Sequence, residues 1–292
     1  MESPIKVIGF SALDDKYSVD EIVTEILDNP TSQAAMKIDS NRILAEYIKE
    51  FAPDTYIMTR VAVDKTKEKP NIEVLQCEAY VHASHNLDIQ SVDIERIDEE
   101  EDYYVICEEK NTSMQIIFWL QNVIEYLEAV KKHKKCKQIN IAALALEGTI
   151  ILPVEKDEED EVIEKEEREK LKNILQQMKE GDEEARQLLE EEEKELDKQL
   201  KQRLREEDFL TIMSGYFIPT TIEDAVYAVL GEITAIKKRK NTKTKENLYV
   251  FDLNVNEMPL EVIVNSKTLI GMPSIGMRFM GTCWVQGRVI MK

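Results

Sequence analysis

Hydrophobic residues recur along the chain at two spacings, and the change of spacing separates predicted helices from predicted strands. After Ser18 the apolar residues of 22–27 repeat three and four positions apart, as on the buried face of a helix. Ser18 and Glu21 have the spacing of a capping box, in which each side chain accepts a hydrogen bond from a backbone N–H at the helix start. The pattern predicts a helix that begins at Ser18 and is ended by Pro30.

Strand-like runs fill most of the remaining first half of the chain. Strands are predicted at 42–47, 56–63, 72–81, 91–97, 103–107 and 139–154. A second helix is predicted from Ser113 to Lys132, because apolar residues occupy nearly all of its faces and would be buried against a sheet. Residues 1–153 are therefore interpreted as an α+β domain.

The composition changes abruptly after Pro153. Residues 154–210 contain 12 Lys and Arg against 23 Asp and Glu, a net charge of −11. Narrow leucine stripes run along this segment, and Gly181-Asp182 suits the end of one helix and the N-cap of the next. We interpret the segment as an acidic helical arm or linker, whose apolar stripe could pair with a protein partner or a second copy of the chain.

Residues 211–292 have the pattern of an all-β region, with strands predicted at 226–238, 248–255, 260–264 and 276–291. Glycines at 231, 281 and 287 lie inside these strands and indicate coiling or the close approach of another backbone. Four or five curled strands of this length are typical of a small β-barrel-like domain, either OB-like or SH3-like. The predicted architecture is thus α+β: an N-terminal α+β domain (1–153), an acidic helical insert (154–210) and a C-terminal β-barrel-like domain (211–292).

The closing strand has one apolar face and one amphipathic face. The apolar face is expected to lie in the core. The opposite face carries Arg278, Trp284 and Arg288, and it could either pack beneath neighbouring chain or bind a ligand by stacking. We favour packing for Trp284.

Charge limits the possible partners. The whole chain has a net charge of −20, of which residues 1–153 contribute −12, so most of it would repel nucleic acid and anionic membranes. Residues 211–292 carry +3, and the turn at 237–245 places six positive residues among nine. Lysines at a hairpin tip usually serve solubility and edge protection, but this turn is also the best candidate for binding a polyanion. The candidate residues are Lys237, Lys238, Arg239, Lys240, Lys243, Lys245, Arg278, Trp284 and Arg288.

Familiar motifs of catalysis and cofactor binding do not occur in the sequence. Neither a Gly-x-Ser-x-Gly elbow nor a glycine-rich phosphate loop is present, so no catalytic residue and no cofactor is assigned. His82 and His85 lie near Cys77 and before Cys107, but the spacing of the histidines and the lack of a Cys-x-x-Cys pair favour surface histidines over a zinc site. An enzyme that uses carboxylates alone stays open, because 58 acidic residues make chance pairs uninformative.

The location of the protein is also constrained. No stretch reaches the roughly 18 apolar residues of a membrane-spanning helix, and the N-terminal apolar stretch is too short for a signal peptide. Four cysteines are scattered without pairing motifs, which is typical of reduced thiols in the cytoplasm.

Several segments, taken in order, resemble one known family. They are "IGFSAL", "IIFWLQNVIEYLE", "AALALEGTIILPVEKDEED", "EGDEEARQLL", "LGEIT" and "GMRFMGTCWVQGRV". The sequence is similar to an uncharacterised domain-of-unknown-function family of Gram-positive anaerobic, clostridial-type bacteria over almost its whole length. The resemblance implies a cytoplasmic bacterial protein of similar length and supplies no activity, cofactor or catalytic residue.

The sequence therefore favours a non-enzymatic protein that works by protein–protein contact or regulation. Nucleic-acid binding through the C-terminal β region is the first alternative. An enzyme with an unrecognised carboxylate site is the second.

Overall fold

Strands dominate the protein. The computed structural model describes residues 3–65, 71–97, 102–153, 213–220 and 225–292, and a few positions between 169 and 210. The described helices are a 3₁₀ turn (Pro4–Lys6), α1 (Val19–Asp28) and α2 (Val123–Lys131). The strands are β1 (Ser32–Lys37), β2 (Arg42–Ala52), β3 (Thr55–Asp64), β4 (Asn71–Val81), β5 (Ile89–Arg96), β6 (Tyr103–Glu109), β7 (Gln115–Leu120), β8 (Cys136–Ile151), β9 (Tyr216–Pro219), β10 (Val226–Lys240), β11 (Asn247–Val255), β12 (Met258–Asn265), β13 (Leu269–Ile270) and β14 (Arg278–Met291).

The strands form two sheets, and the prediction of an α+β fold is wrong. Strands β1 to β4 make an antiparallel meander, whereas the other ten strands belong to a second sheet. That second sheet takes strands from both sides of the acidic segment. Residues 1–151 and 215–292 accordingly make one compact unit, and Leu152–Ser214 makes a second unit. The predicted acidic helical insert falls almost wholly outside the described residues.

Five strands of the second sheet close into a ring in the order β8, β12, β11, β10 and β14. The ring closes because β14 also pairs antiparallel with β8, in a register that runs from Arg278 opposite Ile151 to Met291 opposite Cys136. The predicted C-terminal barrel built from residues 211–292 alone is therefore wrong. Without β8, which precedes the acidic segment, β12 and β14 would both be left with unpaired edges.

The second predicted helix is half wrong. Residues Gln115–Leu120 form β7, and only Val123–Lys131 form α2. The run Ile116-Ile117-Phe118-Trp119 consists of β-branched and aromatic residues, which favour a strand. A segment that is apolar at every position fits a buried strand as well as a buried helix, so the periodicity could not decide between them.

The first predicted helix is confirmed. Ser18 Oγ accepts a hydrogen bond from the Glu21 N–H, and the Glu21 carboxylate accepts one from the Ser18 N–H. Ile22 and Ile26 are fully buried on one face of α1. Among the helices in the described part of the chain, none is long and apolar enough to cross a membrane.

Two large apolar clusters hold the first unit together. One cluster fills the ring with side chains from one face of its strands, including Phe251, Phe279 and Val285. The other joins the opposite face of the ring to the first sheet and the N-terminal segment, and it includes Phe10, Ile57 and Trp284. Both faces of the ring strands therefore carry buried side chains.

Candidate functional site

The basic turn (residues 237–245) comprises the last four residues of β10 and most of the hairpin loop that leads to β11, and its first cations are paired within the protein. Lys237 Nζ lies 3.4 Å from Asp252 Oδ2 and 3.8 Å from Glu261 Oε2. Arg239 Nη2 lies 3.5 Å from Asp54 Oδ2 and 3.8 Å from Glu261 Oε1. These carboxylates neutralise part of the positive charge with which the basic turn could attract a polyanion.

The rest of the basic turn also has internal contacts. Lys243 forms an ion pair with Glu25 of α1. Lys238 Nζ lies 5.3 Å from the centre of the Tyr249 ring, within range of a cation–π contact. Lys245 Nζ donates to the Thr242 carbonyl at 2.6 Å, and Lys240 is exposed.

The other candidate residues of the closing strand are largely covered. Trp284 is 5% exposed and Arg278 is 4% exposed. Trp284 packs in the cluster between ring and first sheet, so the structure favours packing over base stacking, as expected. Arg288 is half-buried: its Nη2 lies 2.9 Å from Glu125 Oε2, and its Nη1 lies 2.7 Å from His82 Nε2. Polyanion binding by the remaining exposed lysines stays a prediction.

A polar cluster forms where the loop after β4, which we call the His loop (residues 82–86), meets the outer face of the ring. Ser84 Oγ donates to Glu261 Oε2 at 2.6 Å, and His85 Nε2 lies 3.5 Å from Asp252 Oδ1. Asn140 Nδ2 donates to the His85 carbonyl and to Asn86 Oδ1 at 2.9 and 3.0 Å. The loop is therefore fixed over the two carboxylates. We use "polar cluster" below for His85, Asp252, Glu261, Lys237 and Arg239.

The two carboxylates of the polar cluster come from neighbouring strands. Asp252 on β11 and Glu261 on β12 are directly opposite each other, so their side chains share the outer face of the ring. Glu261 is only 1% exposed. Among the described residues, its Oε1 and Asp252 Oδ1 are buried and accept no hydrogen bond.

Sequence reasoning identified the histidines of the His loop but not the acids that meet them. The Cys77 thiol lies instead beside Thr59, and Cys107 on β6 is buried in the apolar cluster that also contains Phe251 and Phe279. His82 contacts Arg288, and its ring lies tilted beside that of Tyr56 with 4.5 Å between the ring centres. Burial, together with the charge of Arg288, lowers the pKa of His82 to about 4. The sequence does contain a signal for these acids: each is the single charged residue in a mainly apolar strand, "VFDLNV" and "PLEVIV", and a buried charge usually has a specific partner.

A second polar network is buried in the first sheet around Arg60, which is 1% exposed. Its Nη2 and Nε donate to Glu46 Oε1 at 3.0 and 3.1 Å, and its Nη1 donates to Asp102 Oδ1 at 2.8 Å. Nη1 also donates to Gln76 Oε1 at 2.9 Å. Burial raises the pKa of Glu46 despite the attraction of Arg60.

Glu78 lies on β4, close enough to this network for the charge of Asp102 to affect the pKa of Glu78. Burial raises the pKa of Glu78 to about 7, and the nearby Asp102 charge adds to the shift. A carboxyl whose folded pKa is raised binds its proton more tightly in the folded state. The free energy of unfolding should therefore fall as the pH rises from the unfolded pKa, about 4.5, to about 7, and then level off.

The Glu78→Gln variant should lose this pH dependence. We expect urea denaturation at several pH values between about 5 and 8 to show a smaller decline for the variant than for the unchanged protein. Glu73→Gln, on an exposed position of the same strand, is the matched control. Parallel pH curves for the unchanged protein and Glu78→Gln would contradict the assignment. The comparison is made between variants because His82, whose pKa is lowered, contributes a pH dependence of opposite sign over part of this range.

The segment that begins with β13 and leads to β14 exposes large apolar side chains. Ile270, Met272 and Ile275 are 69%, 83% and 69% exposed. We call residues 269–277 the apolar loop. Its first end is held by the pairing of β13 with β8, and its second end by the Gly276 N–H, which donates to the Ile233 carbonyl at 2.9 Å.

These features define a mainly β protein with a closed ring of strands, a polar cluster on the outer face of that ring and an exposed apolar loop. The chain belongs to a family described as a domain of unknown function named after an E. rectale gene, DUF3881, whose model matches residues 5–287. This confirms the resemblance inferred from the quoted segments. Searches of curated proteins and of solved structures gave no match.

Proposed function

We propose that this protein is a non-enzymatic interaction protein and that the apolar loop is its contact surface for a protein partner. The observation that carries the proposal is the exposure of three large apolar side chains within six residues of a loop anchored at both ends. Single exposed apolar residues are common on protein surfaces, whereas grouped ones mark binding sites. Isoleucine and methionine side chains on such a loop suit an apolar groove on the partner.

The anchoring of the loop supports binding. Both flanking segments are hydrogen-bonded to strands of the ring, so less conformational freedom is lost when a partner covers the loop. The pairing of the basic turn with Asp252, Glu261, Asp54 and Glu25 is the reason why we place protein contact ahead of nucleic-acid binding.

We further propose that the protein works in the cytoplasm. All four cysteines are unpaired, and Cys107 and Cys283 are buried in the same apolar cluster. Free buried thiols are compatible with a reducing compartment. Pairing through the acidic segment, the other predicted mode of contact, concerns residues outside the described part of the chain and stays a prediction.

The test is a double substitution, Met272→Ser with Ile275→Ser. A photo-crosslinking residue at position 272 of the full chain identifies the partner in extracts of the source bacterium, and the purified pair is then measured by calorimetry. We expect the double variant to bind at least about 30-fold more weakly, the equivalent of about 2 kcal/mol for central interface residues. The matched control is Ile218→Ser, an exposed apolar residue on β9.

Two results would overturn this proposal. One is a purified partner that binds the double variant as tightly as it binds the Ile218→Ser control. The other is a crosslink at position 272 that forms only within one molecule, together with a monomeric mass by light scattering and no heavier adduct.

A further inference from the structure

The carboxylates of the polar cluster are arranged as a metal site would be. One ligand atom each from His85, Asp252 and Glu261 lie within 4.8 Å of one another. Ligands of one zinc ion lie roughly 3 to 4 Å apart, because Zn–N and Zn–O distances are about 2 Å. A movement of about an ångström would therefore bring the three atoms onto a single ion.

Burial gives the second, independent observation. Glu261 is 1% exposed, yet among the described residues its Oε1 accepts no hydrogen bond, and neither does Asp252 Oδ1. Each oxygen has only a longer ion-pair contact, Glu261 Oε1 with Arg239 Nη2 at 3.8 Å and Asp252 Oδ1 with His85 Nε2 at 3.5 Å. A buried carboxylate oxygen without a hydrogen-bond donor is costly, and such groups in folded proteins usually have a partner. A cation held between the two carboxylates would satisfy both oxygens at once.

The charges around the cluster are compatible with a cation. Two cationic side chains, Lys237 and Arg239, face three carboxylates, from Asp54, Asp252 and Glu261. Lys237 Nζ lies near both cluster carboxylates, but at 3.4 and 3.8 Å and on a side chain that is 46% exposed. The lysine can turn outward into solvent, so it competes with a metal ion without blocking it.

The surrounding hydrogen bonds would hold the ligands in place. Ser84 Oγ donates to Glu261 Oε2, and its backbone N–H lies 3.4 Å from the same oxygen. Asn140 fixes the backbone of the His loop through the His85 carbonyl. Outer contacts of this kind orient metal ligands and strengthen binding.

We propose that His85, Asp252 and Glu261 bind a divalent transition-metal cation of the zinc type. One imidazole and two carboxylates favour Zn²⁺ or Co²⁺ over Mg²⁺ and Ca²⁺, which prefer oxygen ligands throughout. The remaining coordination positions are open to water. The site is independent of the apolar loop and of any partner.

Calorimetric titration of the tag-free full chain with Zn²⁺ tests the proposal. We expect His85→Ala and Asp252→Asn each to weaken binding at least about tenfold, because each removes a ligand. Lys237→Met should have the opposite effect and tighten binding severalfold, because it removes a competing positive charge. If the cluster were only structural, Lys237→Met would not increase the affinity for Zn²⁺.

The controls use the other histidines and the thiols. His133→Asn alters an exposed histidine with φ +56°, a conformation that asparagine accepts, and should leave Zn²⁺ affinity unchanged. Titration with Co²⁺ shows the ligand type, because thiolate ligands add an intense charge-transfer band that nitrogen and oxygen ligands lack. Saturating Zn²⁺ should also raise the thermal midpoint of the unchanged protein and not that of His85→Ala.

The proposal is overturned by equal Zn²⁺ affinity of His85→Ala and the unchanged protein. A thiolate band in the Co²⁺ spectrum would also overturn it, since the ion would then be bound at a cysteine. The His loop is at the surface, and His85 is 45% exposed in its side chain, so His85→Ala is expected to fold and its result to be decisive.

Discussion

Replacing Arg60 with methionine is expected to lower the free energy of unfolding by about 3–5 kcal/mol, as removal of one partner from a buried ion pair usually does. The guanidinium contacts Glu46, Asp102 and Gln76 in a part of the first sheet that is shielded from water. Without it, two buried carboxylates lose their counter-charge. Methionine preserves most of the side-chain volume, so the loss is electrostatic rather than a cavity effect.

The control for Arg60→Met is Lys132→Met. Lys132 pairs with Glu128 on the surface of α2 at 3.9 Å, with both side chains about half exposed or more. Such a pair contributes about 0.3–0.5 kcal/mol. Urea denaturation of both variants measures the difference, and a loss for Arg60→Met no larger than for Lys132→Met would contradict the importance of the network.

The loss caused by Arg60→Met should also depend on pH. Burial already raises the pKa of Glu46, and Arg60 opposes that rise. In the variant the folded pKa of Glu46 moves further above its unfolded value, so the folded state is penalised more as the pH rises. The difference between variant and unchanged protein should therefore be smallest in acid and grow toward neutral pH.

Local features of this fold could be predicted from the sequence because their causes are local. Ser18 and Glu21 cap α1 within four residues, and the alternation of 72–81 and 103–107 places strands where β4 and β6 lie. The error at 113–132 also has a local cause. A run that is apolar at every position carries no period, and the turn that separates β7 from α2 contains neither Gly nor Pro.

Long-range pairing is what the sequence could not supply. The sequence pattern places strand β8 in a first domain, yet β8 closes the ring by pairing with β14, more than a hundred residues away. The same limit hid the polar cluster, in which His85 meets Asp252 across 167 positions of chain. Alternation shows that a strand has a buried face, but it does not show which strand lies beside it.

Gly287 lies in the seam of the ring, the line along which β14 pairs with β8. We expect Gly287→Ala to be strongly destabilising. A Cβ at position 287 would lie well inside van der Waals contact distance of the Asn140 carbonyl oxygen and 2.9 Å from the Phe118 ring. The carbonyl belongs to the paired strand β8 and cannot move without breaking the ladder that closes the ring. We expect a loss of about 3 kcal/mol in the free energy of unfolding, the upper part of the range for overpacked sites.

Gly281→Ala should be similarly costly, because a Cβ there would meet the Glu147 carbonyl oxygen on the same strand β8 and the Phe279 ring at 2.8 Å. Gly276→Ala is the control: nothing lies within 4 Å of its Cβ position, and only its φ of +85° opposes the change, at about 1 kcal/mol. Gly281 and Gly287 are roughly 20 Å apart along the strand, so their losses should add in the double variant. Denaturation in urea gives all four values, and a Gly287→Ala loss no greater than that of Gly276→Ala would mean that the seam can open to admit a methyl group.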